Sequence, residues 1–280
     1  MNIIQAVLMG IVQGLSEFLP ISSSAHLVFT SNFYKIFKGL DITQASSQEV
    51  FFDIMLHLGT LIAVLIFFRK DIMEILTAFC NAVKTRDFND EKTKLGIYII
   101  LGTLVTIFIA YPLNEVAEKL VFAPMIVGIL LIGTGIFLFT SEKYSNKIEK
   151  TDHLDLKTAL WMSFAQGLAA LPGLSRSGLT IAAGLFRKLD RTTAARFSFL
   201  LSIPIILGAS MLYPLIKLDL NEVIGYDWCE IIAGTIVSGI VGYLCIKYFL
   251  KFVARFSLNI FAVYCILVGI VTSVFFAIVG

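Results

Sequence analysis

Two short stretches of the sequence collect the side chains that could do chemistry. The first runs Gln13-Gly-Leu-Ser-Glu17-Phe-Leu-Pro20-Ile-Ser22-Ser23-Ser24-Ala-His26. A carboxylate, a cluster of hydroxyls and an imidazole within so few residues could supply a base, a nucleophile and an acid. Gln13 and Glu17 are spaced i,i+4, so they share one helix face. Pro20 is expected to end that helix, with the serines and His26 on the loop or the next helix start. The second stretch is Pro172-Gly173-Leu174-Ser175-Arg176-Ser177-Gly178, with Thr180 behind it. It has the makings of an anion cradle. Gly173 and Gly178 let backbone approach a ligand closely. A helix beginning near Ser177 would aim free N–H groups and its positive dipole end at the loop. Arg176 brings a planar fork matched to phosphate oxygens, and Ser175, Ser177 and Thr180 add hydroxyl donors.

Asp53 and His57 form a further i,i+4 pair, placed either to orient the first group or to line its entrance. His153 stands in a polar stretch and is read as solvated. Gln166 echoes Gln13 and is expected to hydrogen-bond within its own hairpin. Three histidines this scattered make no zinc site. Cys80, Cys229, Cys245 and Cys265 contain no C-x-x-C pair and are read as small buried thiols.

These residues are set in a chain that is mostly apolar. Of 280 residues, 58% are apolar and only 15% charged, against about 25% charged in an ordinary soluble domain; mean hydropathy is +0.87. That balance excludes a disordered chain and argues strongly against a soluble enzyme. A net charge of +2 implies no nucleic-acid surface. Apolar runs of spanning length lie at 51–68, 95–112, 121–141, 197–216, 229–250 and 258–279. Residues 1–37 and 158–187 are apolar but split near the middle by Pro and Ser, and each reads as a re-entrant helical hairpin. Residues 72–83 are expected at the interface or as a cap on the bundle. No Lys or Arg precedes Lys35, so residues 1–37 read as mature structure and not as a signal peptide.

Basic residues concentrate at 69–94, 142–157, 187–196 and 247–255, whereas 113–120 carries Glu115 and Glu118 and 217–228 carries Asp219, Glu222 and Asp227. The positive-inside rule puts the four basic loops in the cytoplasm and the two acidic ones outside. This orientation is consistent only if both split stretches are re-entrant, which leaves both termini outside. The split stretches also resemble each other: Gln13-Gly-Leu, Leu19-Pro20 and Ser22-Ser-Ser are matched by Gln166-Gly-Leu, Leu171-Pro172 and Ser175-Arg-Ser. The expected fold is therefore an all-α polytopic membrane protein. It is a single membrane domain over 1–280, with six transmembrane helices and two re-entrant hairpins in an inverted-topology repeat of about 1–141 and 158–280. Only Glu17, Asp53 and Arg176 are charges expected inside the membrane. A central charge there costs about 2.5–3.5 kcal/mol on insertion scales, so it needs a partner or a wet cavity.

With these motifs in place, the chain resembles the undecaprenyl-diphosphate phosphatase family of the bacitracin-resistance type. The family's (Glu/Gln)-x-x-x-Glu motif matches Gln13 and Glu17, and its Pro-x-Ser-Ser-x-x-His segment matches Pro20, Ser22, Ser23 and His26. Its Pro-Gly-x-Ser-Arg-Ser-x-x-Thr motif matches Pro172, Gly173, Ser175, Arg176, Ser177 and Thr180. The resemblance covers essentially the whole chain. It implies a bacterial inner-membrane hydrolase whose active site opens to the outer side. Such an enzyme converts undecaprenyl diphosphate to undecaprenyl phosphate and phosphate, recycling the lipid carrier of peptidoglycan synthesis and giving bacitracin resistance. It also implies help from a divalent cation, magnesium or calcium. That ion is expected to arrive with the substrate diphosphate, touching at most Glu17, with no organic cofactor. The polyprenyl tail would lie among membrane lipids, and a homodimer is one admissible assembly.

Within that reading, Glu17, Ser23, His26 and Arg176 are the candidate catalytic residues. Gly173, Ser175, Arg176, Ser177 and Thr180 are expected to hold the diphosphate, with Gln13, Ser22, Asp53 and His57 in support. The attacking group is Ser23, His26 or a water activated by Glu17. The main competing class is a secondary transporter or lipid flippase, since inverted repeats with broken helices are a transporter design. A phosphatidic-acid-type membrane phosphatase would need a histidine after its Ser-Arg segment, and none follows Ser175-Arg176.

Overall fold

A computed structural model describes residues 2–39, 46–146, 149–217 and 225–279. Asp219 and Glu222, in the acidic stretch 217–228, lie outside the described residues. Among the described residues there are eleven helices and no strand: α1 (Ile3–Ser16), α2 (Ser23–Lys38), α3 (Ser47–Phe67), α4 (Arg69–Thr85), α5 (Glu91–Leu120), α6 (Pro124–Ser145), α7 (Leu156–Leu168), α8 (Arg176–Phe186), α9 (Arg191–Lys217), α10 (Trp228–Val253) and α11 (Asn259–Val279).

Six of them, α3, α5, α6, α9, α10 and α11, are long and apolar enough to cross a membrane. Their boundaries carry ordinary stop and start chemistry. Ser46 and Glu49 close a capping box on α3, Asp90 caps α5, and α6 opens on Pro124 in its first turn. The boundary that differs most from the sequence expectation is the end of α5. The stretch 113–120, read as a connection, forms the last turns of α5, which runs straight through Pro112. Pro costs a helix one backbone hydrogen bond. The residues after it, including Glu115, Ala117, Glu118, Lys119 and Leu120, are mostly good helix formers that carry the helix on.

The remaining apolar segments are two helix pairs, α1–α2 and α7–α8. Their members have 14, 16, 13 and 11 residues, each short of the roughly 20 needed to span. α1 ends at Ser16, four residues before Pro20, and the chain turns over Glu17–Ile21 before α2. The turn is drawn out by Phe18, whose ring is fully buried and meets Phe199 of α9 edge-on at 5.3 Å. The α7–α8 break is tied to α6: Thr134 donates its hydroxyl to the Gly173 carbonyl and accepts from the Ser175 N–H, both at 3.0 Å. Gly173 itself has φ +100° and abuts the α6 backbone at Val127, a position only glycine fits.

Among apolar helices in lipid, association rests on close packing more than on water exclusion, and small residues mark these seams. α1 lies on α10 through Gly10 and Gly14; a Cβ on Gly14 would come within 2.8 Å of the Ser238 carbonyl. α7 lies on α5 through Gly167, where a Cβ would come within 2.6 Å of Ile109. α6 and α11 pack along Gly128, Gly135 and Gly269. α4 carries exposed Met73, Leu76 and Val83 and buries Ile75 and Ala82, with Ile75 packed over Gly96 of α5.

Charge burial also extends beyond the three residues expected. Glu142, at the end of α6, is fully buried. Arg191 of α9 donates to its two oxygens at 2.7 and 2.6 Å, and the Leu258 N–H donates at 2.9 Å. The pair ties the ends of α6 and α9 to the α10–α11 turn. Lys35 is also buried and pairs with Glu49 at 3.1 Å.

Candidate active site

The breaks in the two helix pairs meet. Ser177 donates its hydroxyl to the Leu19 carbonyl at 2.9 Å, joining one turn to the other. Beside that contact, Arg176 forms a direct ion pair with Glu17 through Nη2 and Oε1. Glu17 is 6% exposed, and its other oxygen, Oε2, is equally occupied. The Ser23 hydroxyl donates to it at 2.6 Å and Gln13 Nε2 at 3.0 Å, while His57 Nε2 stands 3.7 Å away.

Local sequence explains each placement. Glu17 is the C-cap of α1 and keeps helical φ/ψ, so it stays on the face of Gln13 one turn earlier. Ser22 is the N-cap of α2 and Ser175 that of α8, their hydroxyls accepting from the Ala25 and Gly178 N–H groups. Ser23 and Arg176 are therefore the first residues of two helices whose N-termini converge on one carboxylate. The leading N–H groups of each helix have no carbonyl within it to bond, and both dipoles favour negative charge at this point. Two further buried atoms lack a partner: Arg176 Nη1, a donor, and Gln13 Oε1, an acceptor. The first suits an oxyanion, and the second, beside Glu17, suits a hard cation. Among the described residues no group of three or more His, Cys, Asp or Glu side chains could hold a metal by itself. A cation here would need oxygens from a ligand as well.

The other sequence candidates are distributed around this centre. Ser175 and Ser177 are buried with their hydroxyls 3.4 Å apart, one capping α8 and the other holding Leu19. Thr180 turns away: its hydroxyl donates to the Arg176 carbonyl at 2.8 Å and meets Ser198 of α9. Gly173 sits behind the loop against α6. Of the α3 pair, His57 faces Glu17, with Nδ1 on the Asp53 carbonyl at 2.8 Å. The Asp53 carboxylate instead lies within electrostatic reach of His57, Glu49 and Lys35. His26 is engaged elsewhere, with Nδ1 on the Ser22 carbonyl and Nε2 on the Tyr264 hydroxyl of α11, both at 2.8 Å. Gln166 does not bond within its hairpin. It donates to Thr106 of α5 at 3.1 Å and to the Leu201 carbonyl of α9 at 3.3 Å. His153 is exposed.

Sequence reasoning missed Thr134 and Tyr264. Both lie in apolar spans with no neighbouring motif, and only the fold brings them to the two turns.

A hydroxyl donating into a buried carboxylate, beside a guanidinium and two helix N-termini, is suited to phosphoryl transfer: one group to attack, one to take the proton, and fixed positive potential for the oxyanion. Comparison with known proteins agrees. The family model described as bacitracin resistance protein BacA matches residues 6–271. The chain is similar to the undecaprenyl-diphosphatase of Methanobrevibacter smithii, 40% identical over 97% of this chain and 96% of that one. It is 36% identical to the undecaprenyl-diphosphatase of Desulforudis audaxviator over 98% of each, and 39% identical to that of Rubrobacter xylanophilus over 94% of each. Both the extent of the family match and the level of identity lead to one conclusion: the chain belongs to the bacitracin resistance protein BacA family.

Proposed function

We propose that this chain hydrolyses undecaprenyl diphosphate to undecaprenyl phosphate and inorganic phosphate. The observation that carries the chemistry is the Ser23–Glu17–Arg176 cluster: a hydroxyl 2.6 Å from a carboxylate oxygen whose partner oxygen is held by a guanidinium.

Ser23 Oγ attacks the terminal phosphorus as its proton passes to Glu17 Oε2. The bridging P–O bond breaks, and Glu17 gives that proton to the departing lipid phosphate. Water then attacks the phosphoserine, again losing its proton to Glu17. The Ser23–phosphorus bond breaks, Ser23 recovers its proton, and phosphate leaves. Arg176 spans the centre with one nitrogen on Glu17 and the other unpartnered. It can therefore hold the carboxylate and take up charge on the transferring phosphoryl, together with the first N–H groups of α2 and α8. Gln13 and His57 fix the orientation of the carboxylate. Ser175, Ser177, Thr180 and Gly173 act mainly by holding the α8 loop in place. Glu17 and the unpartnered Gln13 Oε1 would hold a divalent cation, magnesium or calcium, brought in with the substrate, and such an ion would neutralise substrate charge there.

The same reading makes α1–α2 and α7–α8 re-entrant hairpins of an inverted repeat in the inner, cytoplasmic membrane, with the site open to the outer side. Their lengths support it. So does the pairing of α1 with α10 and α7 with α5, each through the glycine of a Gln-Gly-Leu triplet, Gly14 and Gly167. Reporter fusions should read cytoplasmic at 86–90 and external at 121–123; the reverse pattern would overturn the orientation.

Phosphate release in detergent tests the function and separates it from transport, which has no meaning without a compartment. Purified protein should release phosphate from undecaprenyl diphosphate. No release would remove the hydrolase reading.

A further inference from the structure

α11 braces the turn that carries Ser23. Ser22, immediately before it, has φ +68°, a conformation L-residues rarely adopt and one that persists only where surroundings enforce it. Two contacts from α11 hold this turn. The Cys265 thiol donates to the Pro20 carbonyl at 3.4 Å. The Tyr264 hydroxyl reaches His26 Nε2 at 2.8 Å, with the two rings stacked 8° from parallel and 5.7 Å apart. A carbonyl can only accept, so His26 Nδ1–H donates to Ser22 O; in the neutral imidazole Nε2 then accepts from the Tyr264 O–H. Both imidazole nitrogens are thereby engaged, and one of them holds the backbone of the strained residue itself.

We propose that Tyr264 is a positioning residue for phosphoryl transfer: through His26 it holds the Ser22 turn that aims the Ser23 hydroxyl at Glu17. The chain of contacts runs Tyr264 O–H to His26 Nε2, His26 Nδ1–H to Ser22 O, and Ser22 to Ser23. His26 then serves the turn and is neither nucleophile nor proton donor. The inference rests on the hydrolase reading, because its readout is turnover.

Tyr264→Phe keeps the stacked ring and removes only the hydroxyl, so the melting midpoint should fall by no more than a few °C. Losing one such hydrogen bond corresponds to a factor of about 2–10. We expect kcat to fall about fivefold, with KM for undecaprenyl diphosphate within about twofold of wild type. His26→Ala should lose more, since it frees Ser22 as well. Adding Tyr264→Phe to His26→Ala should cost nothing further, because the phenol acts only through the imidazole. Wild-type kcat in Tyr264→Phe, a loss confined to KM, or losses that multiply in the double variant would each overturn the proposal. Absence of phosphate release by the wild-type protein, run alongside, would instead overturn the hydrolase reading on which it stands.

Discussion

Removing Arg176 should damage stability and activity by separable routes. Glu17 is 6% exposed, and Arg176 is its direct ion partner. Truncating one member of a buried pair typically costs about 3–5 kcal/mol, because the remaining charge is left uncompensated. Ser23 and Gln13 still donate to Glu17 in Arg176→Ala, which places the expected loss near the low end, about 3 kcal/mol. For a chain of this size that corresponds to a fall in melting midpoint of about 6–12 °C, at roughly 2–4 °C per kcal/mol. Adding Glu17→Gln removes the orphaned charge and should return most of the lost stability. Activity should behave differently. Losing a preorganised donor to transition-state charge costs about 100–1,000-fold, and Glu17→Gln removes the proton acceptor too. The double variant should therefore melt close to wild type and release no phosphate. Melting in detergent, followed beside phosphate release, reads both. The reasoning is refuted if Arg176→Ala keeps turnover within tenfold of wild type, or if the double variant melts as low as Arg176→Ala.

Helix seams and the second buried pair give further tests. Gly14→Ala should destabilise by about 1–3 kcal/mol through overpacking, as its Cβ would come within 2.8 Å of the Ser238 carbonyl, whereas Gly133→Ala, inside α6 and facing open space, should hold or slightly raise the melting midpoint. Glu142→Gln leaves Arg191 without its carboxylate and should lower stability by about 3 kcal/mol, visible as an earlier melting transition; an unchanged transition would mean the pair contributes nothing. Chelating divalent cations should lower phosphate release while leaving the melting midpoint of the substrate-free protein in place, since no group of His, Cys, Asp and Glu among the described residues closes on a metal. A large fall in melting on chelation would point to a resident ion instead.

Much of this centre was legible because membrane burial makes charge informative. Gln13 and Glu17 share a helix face by spacing, and Pro20 with the serines marks the break. Arg176 stands out as a cation in an apolar stretch between two glycines. The spans were legible for the same reason, as apolar runs bounded by charge. What sequence could not supply is the axial placement of a helix and long-range contact. Asp53 and His57 share one face of α3 as an i,i+4 pair, and only the height at which α3 stands beside α1 brings His57, one turn further on, to Glu17. Tyr264 contacts His26 from 238 positions away, and in the sequence it is one aromatic residue among many in an apolar span. Glu142 was masked by its neighbours: with Lys143 and Lys147 beside it, it reads as the start of a solvated loop, whereas α6 continues to Ser145 and buries it. Glu115 and Glu118 misled in the opposite sense: they mark 113–120 as a connection, whereas α5 continues through Pro112 to Leu120.

The central claim is that Ser23, activated by Glu17 and facing Arg176, accepts the terminal phosphoryl group. The most direct measurement is acid-quenched single turnover of undecaprenyl diphosphate labelled in its terminal phosphate, followed by peptide mass spectrometry. The account predicts a transient phosphate on Ser23 that disappears as inorganic phosphate is released and is absent from Ser23→Ala. Label on His26, or full turnover by Ser23→Ala, would contradict it.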